Sequence, residues 1–256
     1  MVTTIDTIDA WRKALDAERA AGRAVGLVPT MGALHAGHLA LIEAARADCD
    51  LVVATLFVNP AQFGEPSDLD AYPRDLERDE RVAADAGVDL LFAPAADELY
   101  PPGFATWVVP EGAALGLESE HRPGHFRGVA TVCVKLFELV RPHVAYFGRK
   151  DAQQLAVIKQ VVRDLNIDVQ IRDVETVRDE DGLALSSRNA RLSPAERRRA
   201  LAIPRALATR DPERARAVLA EAGVEPDYVA LADLDGETLA IAARIGGTRL
   251  IDNVRL

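Results

Sequence analysis

Val25-Gly-Leu-Val-Pro-Thr-Met-Gly-Ala-Leu-His-Ala-Gly-His-Leu39 is the stretch on which the reading of this chain turns. Residues 25–28 form a short apolar strand that breaks at Pro29; a loop carrying Gly32 and Gly37 follows, and an apolar-periodic helix resumes at Leu39. A strand, a glycine-bearing turn and a helix start make a phosphate-binding geometry, because a helix N-terminus offers unpaired N–H groups and partial positive charge. His35 and His38 stand three residues apart at this junction. If the helix has begun by His35, the two imidazoles share one face of its first turn. Gly37 between them has no Cβ to block the approach of a phosphate chain. The plainer reading makes them a capping or packing pair; two histidines in one glycine-broken junction favour a nucleotide site.

Working outward, apolar positions Ile8, Trp11 and Leu15 predict a helix over 8–20 with a Thr7 cap. Residues 39–47 read as a helix and 51–58 as a fully buried strand, followed by the turn residues Asn59 to Gly64. A polar stretch covers 65–74, a charged helix 75–86 and a strand 88–94. The Pro- and Gly-rich segment 95–128 is too long for a simple connection and is expected to be functional or a contact surface. Helix 129–140, strand 144–148, helix 152–165 and strand 169–174 follow. This alternation predicts an α/β protein with a Rossmann-like open parallel sheet over residues 1–176. Beyond it, 177–256 reads as a smaller C-terminal α+β domain, a lid. There a capping box at Ser193-Pro-Ala-Glu196 opens one helix, Asp211 another, and three short strands end the chain.

Forty acidic against thirty basic residues leave a net charge of −10, which argues against a general affinity for nucleic acid. Cys49 and Cys133 lie in apolar segments with no CxxC pair and read as buried, reduced thiols. No basic-then-apolar leader stands at Met1 and no apolar run reaches the ~18 residues of a membrane span. The expectation is a soluble, cytoplasmic protein with no membrane or nucleic-acid partner.

Ligands of open α/β sheets bind beyond the carboxyl ends of the strands. Three polar clusters, 30–38, 59–62 and 148–154, each directly follow a predicted strand. Lys150 suits a migrating α-phosphate or leaving pyrophosphate; Asp151 suits ribose hydroxyls or a helix cap. Gln153 and Gln154 can donate and accept at once, as a hydroxy acid requires. Ser186-Ser187-Arg188 offers two hydroxyls and a planar cationic fork, a clamp able to close over phosphates. Zinc fits poorly: His35 and His38 lack the glutamate of HExxH, and His121 with His125 falls in a Pro/Gly loop.

These blocks resemble the pantoate–β-alanine ligase family. The resemblance rests on Val28 to His38, Phe57 to Phe63, Arg122 to Gly128, Phe147 to Asp151 with Gln153-Gln154, and Leu185 to Asn189, in the family's order, with an echo at Gly247 to Asn253. It implies a two-step ligation. ATP and pantoate give an enzyme-bound pantoyl adenylate and pyrophosphate; the amine of β-alanine then displaces AMP, giving pantothenate. The ATP site it implies comprises Met31, Gly32, Ala33, Leu34, His35, Ala36, Gly37 and His38, then Gly148, Arg149, Lys150 and Asp151, then the backbone of Val177 with Leu185, Ser186, Ser187 and Arg188. His38 is the implied proton donor, acting with His35 and Lys150 as catalytic groups. Gln62 contacts pantoate and β-alanine, and Gln154 pantoate. Mg²⁺ accompanies the phosphates, with Asp79 as a candidate ligand or else part of a solvated helix face. A homodimer is implied, and 95–128 is a reasonable contact for it. Against the family pattern, Arg149 replaces glutamate and is expected to point to solvent, Ala152 replaces a residue that is often aromatic, and the second domain is short. Two other classes compete: a nucleotidyltransferase that leaves the nucleotide on its product, which leaves Asn59–Gln62 and Gln153-Gln154 unexplained, and a non-catalytic nucleotide sensor.

Overall fold

The computed structural model describes residues 2–64 and 69–256, so part of the polar stretch 65–74 lies outside the described residues. The chain clusters into two compact units. One comprises residues up to Leu34 with His38–Phe147 and Val157–Val174; the other comprises His35–Gly37, Gly148–Ala156 and Glu175–Leu256.

The first unit is built on strands β1 (Thr3–Ile5), β2 (Val25–Thr30), β3 (Leu51–Leu56), β4 (Leu90–Phe92), β5 (Val144–Gly148) and β6 (Gln170–Val174). Their spatial order is β1-β4-β3-β2-β5-β6. The pairings β1–β4, β4–β3, β3–β2 and β2–β5 are parallel. The order reverses between β2 and β5, and such a reversal opens a crevice for ligands at the carboxyl ends of the strands. β1 carries no sequence signal because it is three residues long. Pro29 does not break β2 as expected. It stays in register with Thr55 of β3, while the pairing to β5 covers only Gly26 and Leu27, so the missing N–H leaves no gap in that ladder.

Helices α1 (Ile8–Ala20), α2 (Ala36–Asp48), α3 (Leu76–Asp85), α4 (Ala96–Leu99), α5 (Glu118–His121), α6 (His125–Val140) and α7 (Ala152–Asp164) connect the strands. On α1, Trp11 and Leu15 are fully buried, and Trp11 stacks on Phe92 of β4 at 4.7 Å. Burying a side chain of that size stabilises by roughly 2–3 kcal/mol. Thr7 precedes α1 without making the expected side-chain cap bond. In contrast, the Asp75 carboxylate accepts the Arg78 N–H at 3.0 Å and does cap α3. The segment 95–128 contains α4 and α5, and α6 begins four residues before the apolar stripe reveals it. Apolar side chains of α2, β2, β3 and β4, among them Ile42, Val28, Val52 and Leu91, form a core cluster of this unit.

The second unit carries α8 (Pro194–Ala200), α9 (Ala202–Ala208), α10 (Pro212–Glu221) and an antiparallel sheet of β7 (Pro226–Asp233), β8 (Glu237–Ile245) and β9 (Thr248–Arg255). The capping box at Ser193 and Glu196 is present, and the Ser193 N–H holds the Glu196 carboxyl below its ordinary range. One helix was expected here and two form, parting at Leu201. Pro204 explains the break: it has no N–H for the Ala200 carbonyl and its ring crowds that carbonyl. Ile203, Leu207, Leu219, Leu239, Ile241 and Ile245 form the core of this unit.

Candidate active site

The loop after β2 is held from behind by a buried carboxylate. Asp79 of α3 is 2 % exposed; it accepts the Ala33 N–H on Oδ2 at 2.7 Å and the Leu34 N–H on Oδ1 at 2.9 Å. Arg78 donates to Asp79 Oδ1 at 3.1 Å and to the Leu34 carbonyl at 3.0 Å. The bracing is needed because Gly32 (φ +84°) and Ala33 (φ +53°) are both left-handed. A Cβ on Gly32 would also come within 2.9 Å of Asp79 Oδ2. One expectation is corrected here: Asp79 does not lie on a solvated helix face, because it is buried with each oxygen accepting a loop N–H. Among the described residues no group of three or more His, Cys, Asp or Glu is placed to hold a metal. The Leu34 side chain, 1 % exposed, packs in the core, so this residue faces inward.

Helix α2 begins at Ala36, so His35 precedes it and does not share its first turn with His38. The Gly37 N–H donates to His35 Nδ1 at 3.1 Å, as a capping side chain would accept it. With Nδ1 accepting, the neutral ring carries its proton on Nε2, which makes that nitrogen the donor. A doubly donating imidazolium is incompatible with this bond. Below the loop, Thr30 and Thr55 tie the ends of β2 and β3: the Thr30 N–H donates to Thr55 Oγ1 at 3.1 Å, and the Gly32 N–H to Thr30 Oγ1 at 3.2 Å.

The turn after β3 is a 3₁₀ turn, Pro60–Gln62, capped by Asn59. Tyr100 donates to Asn59 Oδ1 at 2.9 Å, and Asn59 Nδ2 donates to Gln62 Oε1 at 2.9 Å and to the Gly128 carbonyl at 3.1 Å. Burial, then the neighbouring Cys133, raises the Tyr100 phenol well above its ordinary range. The polarity of the chain is fixed by the Ala61 N–H, which donates to Asn59 Oδ1 at 3.2 Å, and by the Gly128 carbonyl, which accepts from Nδ2: Asn59 accepts from Tyr100, and Gln62 Oε1 accepts from Asn59. From below, His125 Nδ1 lies 3.0 Å from the Gln62 carbonyl oxygen and Nε2 lies 3.1 Å from Arg122 Nη1. A carbonyl only accepts and a guanidinium only donates, so this ring is the neutral Nδ1–H tautomer. His125 therefore opens α6 rather than sitting in a loop, and His121 ends α5. Tyr100, His125 and Gly128 were given no role from the sequence. Only the 122–128 block hinted at them, since Tyr100 is remote in sequence and marked by no spacing.

In the second unit, Gly148 leads into a 3₁₀ turn, Arg149–Asp151, that runs straight into α7 with Gln153 and Gln154 in its first turn. Lys150 Nζ lies 3.7 Å from Asp151 Oδ1. Arg149 does not point to solvent: it is buried, 3.9 Å from both Glu175 and Asp235, whose charges compensate it. Ala152 is likewise buried, 4 % exposed. Residues 177–185 fold back on themselves, with the Leu185 N–H donating to the Val177 carbonyl at 3.0 Å, which brings those two segments together. Ser186 Oγ accepts the Arg188 N–H at 3.2 Å and caps the 3₁₀ turn Ser187–Arg191.

Polar loops thus follow β2, β3 and β5, three neighbouring parallel strands, two of which flank the order reversal. The sheet order defines a Rossmann-like protein, and its chain carries a His-x-Gly-His junction after β2. The family model described as pantoate–β-alanine ligase matches residues 3–255, and the chain belongs to that family. It is similar to the pantothenate synthetase of Heliobacterium modesticaldum, at 50 % identity over 278 aligned positions covering 99 % of this chain and 98 % of the relative. Those aligned positions outnumber this chain's 256 residues, so the relative carries residues this chain lacks. Among solved structures, pantothenate synthetase from Thermus thermophilus matches with a TM-score of 0.91 and 47 % identity, covering 99 % of both chains. Pantoate–β-alanine ligase from Francisella tularensis, solved with β-γ ATP and β-alanine, matches with a TM-score of 0.89 and 35 % identity, covering 100 % of this chain and 98 % of that one. Among the described residues no helix is long and apolar enough to cross a membrane.

Proposed function

We propose that this ligase condenses pantoate with β-alanine through an enzyme-bound pantoyl adenylate, releasing pyrophosphate and then AMP. The observation that carries the reading is the Tyr100–Asn59–Gln62 chain, in which Asn59 donates to Gln62 Oε1, so that the group Gln62 has to offer a ligand is its amide donor. A donor suits the oxygens of a small hydroxy acid; Gln154, in the first turn of α7, serves the same substrate. ATP is held along Met31 to His38, Gly148 to Asp151, Val177 and Leu185 to Arg188. The His35 Nε2–H donates toward phosphate oxygen, His38 is the proton donor, and Lys150 offsets charge on the α-phosphate and the departing pyrophosphate. The carboxylate of pantoate attacks the α-phosphorus, the bond to the pyrophosphate oxygen breaks, and the β-alanine amine then attacks the adenylate carbonyl and expels AMP. Rate enhancement comes from in-line positioning and charge stabilisation, with the adenylate shielded from water.

Magnesium, entering with ATP, would offset charge on its phosphates. The enzyme works in the cytoplasm, as a homodimer. Trp107, Val109 and Leu115, exposed within 95–128, support pairing through that segment, and sedimentation at twice the 27.6 kDa chain mass, rather than once, tests it. The reaction itself is tested by its product. AMP is expected only when ATP, pantoate and β-alanine are all present; a product that retains the nucleotide would instead mean nucleotidyl transfer.

A further inference from the structure

The block 247–253 takes no part in the chemistry above, yet its last residue is tied to the turn that bears Lys150. Asn253, near the end of β9, is 7 % exposed. Its Nδ2 donates to the carbonyl of Arg149 and to the carbonyl of Lys150, both at 2.9 Å. A carboxamide nitrogen carries two hydrogens, and here one goes to each of two consecutive carbonyls. Those carbonyls belong to the peptide groups on either side of the Lys150 Cα. Pinning both planes fixes the backbone torsions of Lys150 and therefore the direction of its Cα–Cβ bond. Burial leaves little room for water to replace the donors.

Asn253 is itself fixed. Its N–H donates to Asp252 Oδ1 at 2.8 Å, and Asp252, 4 % exposed, takes the Arg178 guanidinium on both oxygens, at 2.6 and 3.0 Å. Arg178 directly follows Val177, so the Asp252-Asn253 pair anchors two segments assigned to ATP. We propose that Asn253 is a positioning residue for Lys150, holding the ammonium where the ATP phosphates bind; this rests on the reading of Lys150 as a phosphate ligand.

The test is pantoate-dependent ATP–pyrophosphate exchange by full-length Asn253→Asp, Asn253→Ala and Lys150→Ala, with circular dichroism as the check on folding. Asn253→Asp keeps the volume but loses both donors and sets a carboxylate against two carbonyl oxygens. The expected exchange kcat falls about a hundredfold for Asn253→Asp and about tenfold for Asn253→Ala, with the KM for pantoate unchanged. A space-filling role gives the reverse order, because Asp fills the site and Ala does not, and that order would overturn the proposal. Should Asn253→Asp fail to fold, Asn253→Ala decides: wild-type kcat in that variant overturns the proposal. Normal exchange by Lys150→Ala would refute the Lys150 reading itself. Collapse in Lys150→Ala beside normal exchange in both Asn253 variants would refute only the role of Asn253.

Discussion

The loop after β2 and the turn after β3 leave neighbouring strands of one sheet, but they are held by different physics. The first is braced by a charge: Asp79 accepts the Ala33 and Leu34 N–H groups and supports two consecutive left-handed residues. The second is set by a neutral relay, Tyr100 to Asn59 to Gln62, with His125 and the Gly128 backbone beneath it. A buried carboxylate can hold a strained backbone because each hydrogen bond to a charged group is strong. A relay of neutral groups carries no such charge, but it fixes which end of the last amide is already bonded. One device shapes a cradle; the other aims a dipole.

Asp79→Asn gives the largest expected effect on this contrast. It replaces one acceptor with a donor facing a loop N–H and removes the negative charge beside Arg78, destabilising the protein by about 2–4 kcal/mol. The KM for ATP should rise while that for pantoate stays put. Wild-type stability in urea denaturation would show that the loop does not need its brace. Gly128→Ala acts on the other side and more weakly. A Cβ there would lie 2.2 Å from the Ala61 carbonyl oxygen, so the 60–62 turn must shift, at about 1–3 kcal/mol. Here the KM for pantoate should rise with little change for ATP. If both variants raise both KM values equally, the division of labour between loop and turn is wrong.

Legibility from sequence divides along the same line. The parallel sheet could be read because strands buried on both faces leave unbroken apolar runs, such as 51–56, and because helix 152–164 keeps its apolar period. Residue types that carry chemistry stood out beside those strands: His35, His38, Gln62, Lys150 and Gln154. What could not be read was who holds them. The Asp79–Ala33 bond spans 46 residues and the Asn253–Lys150 bond 103, and no local pattern encodes such separations. Local rules also misplaced the ends of elements. Proline was expected to stop β2, but its missing N–H falls where the β5 ladder makes no demand on it. The sequence left open whether the helix has begun by His35; it begins at Ala36, and the His35 ring accepts the Gly37 N–H from just outside it. Arg149 was sent to solvent because a lone arginine after a strand shows nothing of the carboxylates, Glu175 and Asp235, that come near it on folding.

The central claim is that this chain makes an acyl adenylate from pantoate, with His38 as proton donor. Exchange of labelled pyrophosphate into ATP, measured with pantoate and without β-alanine, tests it most directly. Exchange by the native enzyme that requires pantoate, and its loss in His38→Ala with an unchanged circular dichroism spectrum, is the predicted result. Exchange that ignores pantoate, or that survives intact in His38→Ala, would contradict it.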